Sequence, residues 1–178
     1  AALAAAPQAS RSDRMYVVLP LYHTAGGVCA VGSALAAGAQ IVLRRKFSAS
    51  HFWEDCVRHD VTLFQYIGEL CRYLVNTPPH PHERSHRVRL CVGNGLRPDV
   101  WEPFQKRFGI PKIVEFYGAT EGNVALTNVD VKPGSVGRIP WYLERILPVK
   151  LIRFDVEAEA PVRDARGFAT KFYTSEGV

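Results

Sequence analysis

Lys112-Ile113-Val114-Glu115-Phe116-Tyr117-Gly118-Ala119-Thr120-Glu121-Gly122-Asn123 begins as a buried strand and ends as a loop that carries a glycine, a hydroxyl and a carboxylate within four residues. Such a loop can grip a phosphate. Gly118 and Gly122 permit positive φ and close backbone approach, so main-chain N–H groups can converge on an anion while Thr120 donates from its side chain. Glu121 would repel a bare phosphate, and it fits once Mg²⁺ lies between, since Mg²⁺ is commonly held by one or two carboxylates plus phosphate oxygens. A strand-ending turn with an N-capping threonine has the same composition. The stretch alone leaves both readings open.

Upstream, short apolar runs alternate with helical patterns. Met15 to Leu19 reads as a strand, ended by Pro20 and followed by the loop Leu21-Tyr22-His23-Thr24-Ala25-Gly26. A small-residue helix over Gly27 to Ala37 stops at Gly38, and Ile41-Val42-Leu43 is the next strand. Ser48 or Ser50 can cap a helix over His51 to His59, and Val61 to Phe64 is a third strand. Gly68 and Glu69 open a helix whose apolar face carries Leu70, Tyr73 and Leu74. Val88 to Val92 is a fourth strand, ending in Gly93-Asn94-Gly95. Asp99 with Glu102 has the spacing of a capping box for a helix bearing Val100, Phe104 and Phe108, and Lys112 to Tyr117 is the fifth strand. Strands alternating with helices predict an α/β fold with a mainly parallel sheet, whose ligands bind beyond the carboxyl ends of the strands. The loops of His23, Asn94 and Thr120 leave such ends. After Val124 the pattern loosens, with a strand over Lys150 to Phe154 and a charged, turn-rich connection from Glu157 to Arg166.

With 178 residues, 47% of them apolar, the chain can bury a sizeable core. Its net charge of +5 is dispersed, and the one dense run, Arg44-Arg45-Lys46, reads as a solvated strand end and not as a nucleic-acid stripe. Cys29, Cys56, Cys71 and Cys91 are widely spaced in apolar surroundings, which predicts buried thiols in a reducing compartment. Ala1 to Ala9 lacks a basic leader and reads as part of a helix; Gly26 to Leu43 reaches span length but is broken by Ser33 and Gln40. His80, His82 and His86 lie among Pro78, Pro79 and Pro81 and read as an exposed loop in preference to a metal site. Gly93-Asn94-Gly95 suits either close approach of a flat base or an ordinary turn, and His23 either faces a substrate carboxylate or bonds its own loop. A serine-hydrolase order and a Gly-x4-Gly-Lys phosphate loop are both missing.

Five blocks taken in order resemble the fatty acid transport protein / very-long-chain acyl-CoA synthetase family of adenylate-forming, AMP-binding enzymes. They are Leu19 to Gly26, Lys46 to Trp53, Gln65 to Leu74, Val88 to Arg97 and Glu115 to Asn123. The resemblance covers about Asp13 to Gly167. It implies that a long-chain or very-long-chain fatty acid attacks the α-phosphate of Mg·ATP to give acyl-AMP, from which coenzyme A displaces AMP, coupled to fatty acid uptake. By motif position, Tyr117 would stack on adenine, beside Gly118, and Gly93-Asn94-Gly95 would border the base. Thr120 would bond the α-phosphate, Glu121 would hold Mg²⁺, His23 would sit near the carboxylate, and Tyr66 to Glu69, Gly68 included, would lie close to the acyl tunnel.

The resemblance also implies that residues 1–178 are part of an AMP-binding domain, without the upstream phosphate loop and the C-terminal domain, and with an atypical tail over 168–178. A piece of this kind is expected to be inactive alone. The alternative is a truncated acyl-binding or interaction module without catalysis. The full-length protein is expected at a membrane of the endoplasmic reticulum, the peroxisome or the cell surface, attached through regions outside this chain, with this domain on the cytosolic side or in another reducing compartment.

Overall fold

A computed structural model describes residues 9–118, 125–139, 142, 146 and 152–170. The chain divides into two units, Ala1–Arg138 and Ile139–Val178. In the first, β1 (Arg14–Val17) leads through a π-helical segment, Ala25–Gly32, into α1 (Ser33–Ala37) and β2 (Gln40–Leu43). Then come α2 (Phe52–Arg58), β3 (Leu63–Ile67), α3 (Gly68–Asn76), β4 (Leu90–Asn94), α4 (Pro98–Phe108), β5 (Ile113–Gly118) and β6 (Ala125–Thr127). The sheet order is β2-β1-β3-β4-β5-β6. The first five strands are parallel, and β6 pairs antiparallel with β5.

Alternation along the strands divides the core between the two faces of the sheet. Met15, Val17, Leu63, Leu90, Val92 and Val114 meet Ala30 and Ala34 of the first helical pair. On the opposite face Tyr16, Phe64, Tyr66, Cys91 and Ile113 pack with side chains of α2, α3 and α4. All four cysteines are buried free thiols.

Several sequence expectations shift in detail. The first helix starts two residues early, at Ala25, and closes as expected at Gly38 in the left-handed conformation. Neither Ser48 nor Ser50 caps α2; the two hydroxyls bond each other, and His51 occupies the cap without a side-chain bond to the helix backbone, its Nδ1 lying 3.1 Å from Glu54 Oε2. The Asp99–Glu102 capping box does not form. Arg97 is the cap residue and Pro98 the first helical residue, Asp99 accepts from Arg97 Nε, and Glu102 pairs with Lys106. Proline at the first position needs no partner for its missing N–H, which removes the need for a box. The third strand begins at Leu63 because Thr62 is used as a bridge: its N–H donates to the Arg14 carbonyl and its hydroxyl to Asp13. In the histidine-rich loop, His86 stacks on Trp53 with its Nε2 3.1 Å from the Phe108 carbonyl, while the His82 N–H donates to His80 Nδ1.

Two buried carboxylates tie the strand starts and ends together. Asp13 accepts from Arg89 Nε at 2.9 Å and Nη2 at 2.6 Å, from the Thr62 hydroxyl at 2.8 Å and from the Ser10 N–H at 2.8 Å. Burial raises its pKa, but the bonds from Arg89, Thr62 and Ser10 together outweigh it and hold the carboxyl well below the usual range. Asp55 on α2 accepts from the Tyr16 hydroxyl and pairs with Arg44, so the first residue of the basic run is structural while Arg45 and Lys46 stay exposed.

The second unit, taken by itself, carries the hairpin of β7 (Phe154–Asp155) and β8 (Ala160–Pro161), its turn held by Glu157 and Ala158 N–H bonds to Asp155 Oδ1. The charged stretch after Glu157 is therefore partly strand. Ala1 to Gln8 and Lys171 to Val178 lie outside the described residues.

Arg89→Ala leaves Asp13 buried with neutral donors alone among the described residues. It should lower unfolding free energy by about 2 kcal/mol, less than for a fully buried pair because Arg89 is half exposed. Arg72→Ala, which breaks an exposed i,i+3 pair with Glu69, should leave the urea midpoint unchanged. Urea titrations of both variants check this. The Asp13 contribution is present at neutral pH and is lost on strong acidification, because its folded pKa is depressed.

Candidate functional site

Strand β1 lies between β2 and β3, so the chain leaves β1 over one face of the sheet and returns from β2 over the other. The loops after β1 and β3 therefore diverge, which opens a crevice at the carboxyl edge of the sheet. A cavity of about 500 Å³ lies there, lined among others by Leu19, Leu21, Phe47 and Leu70, with Arg45 and Lys46 supplying positive charge. An apolar wall beside two cations suits a chain with an anionic head.

The other half of the edge is built on one row of three residues. Pairing aligns Tyr66 of β3 with Gly93 of β4, and Gly93 with Glu115 of β5, all on the face that packs against α3 and α4. The Tyr66 ring lies over Gly93: a Cβ there would come within 2.5 Å of a ring carbon and 2.3 Å of the Tyr66 carbonyl oxygen. Reaching across β4, the Tyr66 hydroxyl donates to Glu115 Oε2 at 3.0 Å, and the Leu96 N–H donates to Oε1 at 2.7 Å. Glu115 is 3% exposed and Tyr66 is fully buried. Burial pushes the Glu115 carboxyl up to about 7, against the opposing effect of the Leu96, Tyr66 and Gly95 bonds. Burial likewise raises the Tyr66 phenol, helped by the neighbouring thiol of Cys91 and by Glu115.

His23 is exposed at the mouth of the π-helical segment, its Nδ1 accepting from the Ala25 N–H and its carbonyl from the Gly27 N–H. Gly68 sits against the next loop so closely that a Cβ would fall 1.7 Å from the Gly95 carbonyl oxygen. The turn expected beside an acyl chain and the loop expected beside a base thus touch through their backbones. Tyr66 and Gly68 do not line the cavity; Ile67, Glu69, Leu70 and Tyr73 do. The open face of Gly93 is filled by Tyr66, whereas Asn94 is exposed and Gly95 adopts φ 77 beyond the strand end. Tyr117, half exposed, and Gly118 end β5. Thr120 and Glu121 lie outside the described residues.

Sequence reasoning did not assign Glu115 a role, since one acidic residue in an apolar strand carries no pattern of its own. The alternation of Tyr66 and Glu115 toward one face was the available signal. Asn128 was also missed: buried after β6, it donates through Nδ2 to the Lys132 and Ser135 carbonyls, and its own N–H reaches the Glu115 carbonyl.

The profile of the AMP-binding enzyme family matches residues 1–150. The chain belongs to this family. It is 54% identical over 157 residues to long-chain fatty acid transport protein 3 of Homo sapiens, covering 88% of this chain and 23% of that protein. Against long-chain fatty acid transport protein 1 of Mus musculus it is 50% identical over 156 residues, covering 88% and 24%. The chain spans about a quarter of the length of these relatives. Among solved structures, ATP-bound MatB from Rhodopseudomonas palustris superposes with a TM-score of 0.69 at 21% identity over 91% of this chain and 32% of that one. A Mycobacterium tuberculosis fatty acyl CoA synthetase gives 0.61 at 19% identity, covering 90% and 30%. The mixed α/β architecture with a mainly parallel six-stranded sheet is thus that of adenylate-forming enzyme domains. Among the described residues, no helix is long and apolar enough to cross a membrane.

Because the folded protein holds the Glu115 proton more tightly than the unfolded chain, the carboxyl stabilises the fold most when protonated. That contribution fades as pH rises from about 4.5 to about 7 and is gone above. Glu115→Gln should flatten the slope of unfolding free energy in this window, by about 3 kcal/mol in all; chemical denaturation at pH 5 and pH 8 reads it. Gly93→Ala, which drives a methyl into the Tyr66 ring, should cost about 1–3 kcal/mol in the same assay.

Proposed function

We propose that this chain forms part of a fatty acid–CoA ligase that activates long-chain or very-long-chain fatty acids with Mg·ATP, in a protein coupled to fatty acid uptake. The observation that carries the reading is the backbone contact of the Gly68 turn with the Gly95 loop. It joins the end of β3, beside an apolar, cation-flanked cavity, to the loop after β4, which this reading gives to the nucleotide. The similarity to fatty acid transport proteins supports the acyl substrate, and the ATP-bound structural neighbour supports the nucleotide.

In this reading the fatty acid carboxylate attacks the α-phosphorus, the bond to pyrophosphate breaks, and the thiol of coenzyme A then displaces AMP to form the thioester. The first step brings two anions together. At about 4 Å their repulsion is of order 4 kcal/mol at an effective dielectric of about 20, so fixed donors and a cation are needed. Both oxygens of Glu115 are engaged by Tyr66 and Leu96; Glu121, by its place in the motif, would hold Mg²⁺. The ion would supply charge neutralisation on the phosphates. Thr120 would donate to the α-phosphate, exposed Tyr117 would stack on adenine with Gly118 and Asn94 beside it, and His23 would face the carboxylate. Membrane attachment of the whole protein would come from regions outside the chain.

The cavity also favours a second reading, an acyl-binding module without nucleotide chemistry. Calorimetry with Mg·ATP separates the two. The ligase reading expects binding that weakens about tenfold on Thr120→Ala or Glu121→Ala, as loss of a charge-assisted contact does; oleate binding with no response to millimolar Mg·ATP contradicts it and supports the module.

A further inference from the structure

Glu115 combines features that a residue serving only the core does not need. A buried leucine or methionine at this place would pack against Cys71, Cys91 and Ile113 without the cost of a desolvated carboxylate. Instead the carboxylate lies in line with Tyr66 across two strands, with Gly93 left bare so that the phenol can reach it. Its second oxygen takes the N–H of Leu96, the residue at which the β4 loop turns toward α4. The groups that face it are the Tyr66 hydroxyl from β3, the Cys91 thiol from β4, the Cys71 thiol from α3, and the backbone N–H groups of Gly95 and Leu96; among the described residues no basic side chain pairs with it. A charged acceptor bonded to backbone N–H holds a loop more tightly than a neutral one.

We propose that Glu115 is a positioning residue for nucleotide binding: its carboxylate pins the Gly93–Gly95 loop and the Tyr66–Gly68 turn to β5, two residues before Tyr117, and fixes these walls at one mutual spacing. The proposal rests on the nucleotide site described under the proposed function. Gly68 and Gly95 set the closest distance between the two loops by steric contact, and Glu115 prevents their separation. Ionised, it accepts three donors at full strength. Protonated, it keeps its place but bonds them more weakly, so the base-side wall loosens without unfolding of the sheet.

The test is titration of the 178-residue chain with adenosine, uncharged over the range used, followed by NMR at pH 6 and pH 8 in the unmodified chain, Glu115→Gln, Tyr66→Phe and Tyr117→Ala. Amide exchange at Leu96 is read in parallel. The unmodified chain should bind adenosine about fivefold more tightly at pH 8 than at pH 6. Glu115→Gln keeps the shape of the side chain and should bind at both pH values as the unmodified chain does at pH 6. Tyr66→Phe should weaken binding and speed Leu96 exchange, while Tyr117→Ala should weaken binding and retain the pH dependence. Unaltered affinity and pH profile in Glu115→Gln overturns the proposal and leaves the nucleotide site standing. Faster Leu96 exchange in Glu115→Gln with unchanged adenosine affinity makes the residue a strut of the fold only, which also overturns it. Adenosine binding by none of the four chains overturns the nucleotide site itself and this inference with it.

Discussion

A carboxylate that reaches across the sheet to a tyrosine holds the carboxyl edge of this fold together. Tyr66, Gly93 and Glu115 stand in one row on three adjacent strands, and each makes sense only with the other two. The glycine clears the path, the tyrosine spans it, and the glutamate ends it while accepting the Leu96 N–H from the loop beyond. Burying the acid raises its pKa to about 7, and the bonds it accepts offset only part of that penalty. The fold tolerates the cost at the place where three loops must keep a fixed spacing. A desolvated ionisable group at one edge of a parallel sheet is usual where ligands bind.

Away from that edge, the constraints are of a different kind. Asp13 with Arg89 and Thr62 ties the starts of three strands, and Asp55 with Tyr16 and Arg44 ties α2 to the ends of β1 and β2. Both carboxylates have cationic partners, Arg89 for Asp13 and Arg44 for Asp55, whereas Glu115 is held by Tyr66 and backbone N–H groups. The sheet is therefore clamped electrostatically at its amino edge and along α2, while its carboxyl edge carries an acid whose donors among the described residues are neutral. A cavity with Arg45 and Lys46 at its side completes the contrast.

Much of this was readable in the residues. The apolar runs at Met15, Ile41, Leu63, Leu90 and Ile113 marked five strands, Gly38 marked a helix end, and alternation of strand and helix gave a parallel sheet. The family resemblance, carried by five ordered blocks, agrees with the match of the AMP-binding enzyme family over residues 1–150. What escaped was contact between residues far apart in the chain. Gly93 read as room for a base because the Tyr66 ring that fills it is 27 positions away in sequence. The caps proposed at Ser48, Ser50 and Asp99 failed for a local reason: Pro98 and His51 already start those helices, and the polar side chains found nearer partners. Strand β6 was invisible because three residues, Ala125 to Thr127, carry no alternation that can be told from a loop.

The central claim is that the ends of β4 and β5, braced by Glu115, form one wall of a nucleotide site. Amide chemical shifts on addition of Mg·ATP address it most directly. The account predicts the largest changes at Asn94, Gly95, Leu96, Tyr117 and Gly118, with Gln40 to Leu43 of the far edge strand unchanged. Changes confined to the cavity around Leu19, Phe47 and Leu70, with the β4 and β5 ends silent, would contradict it.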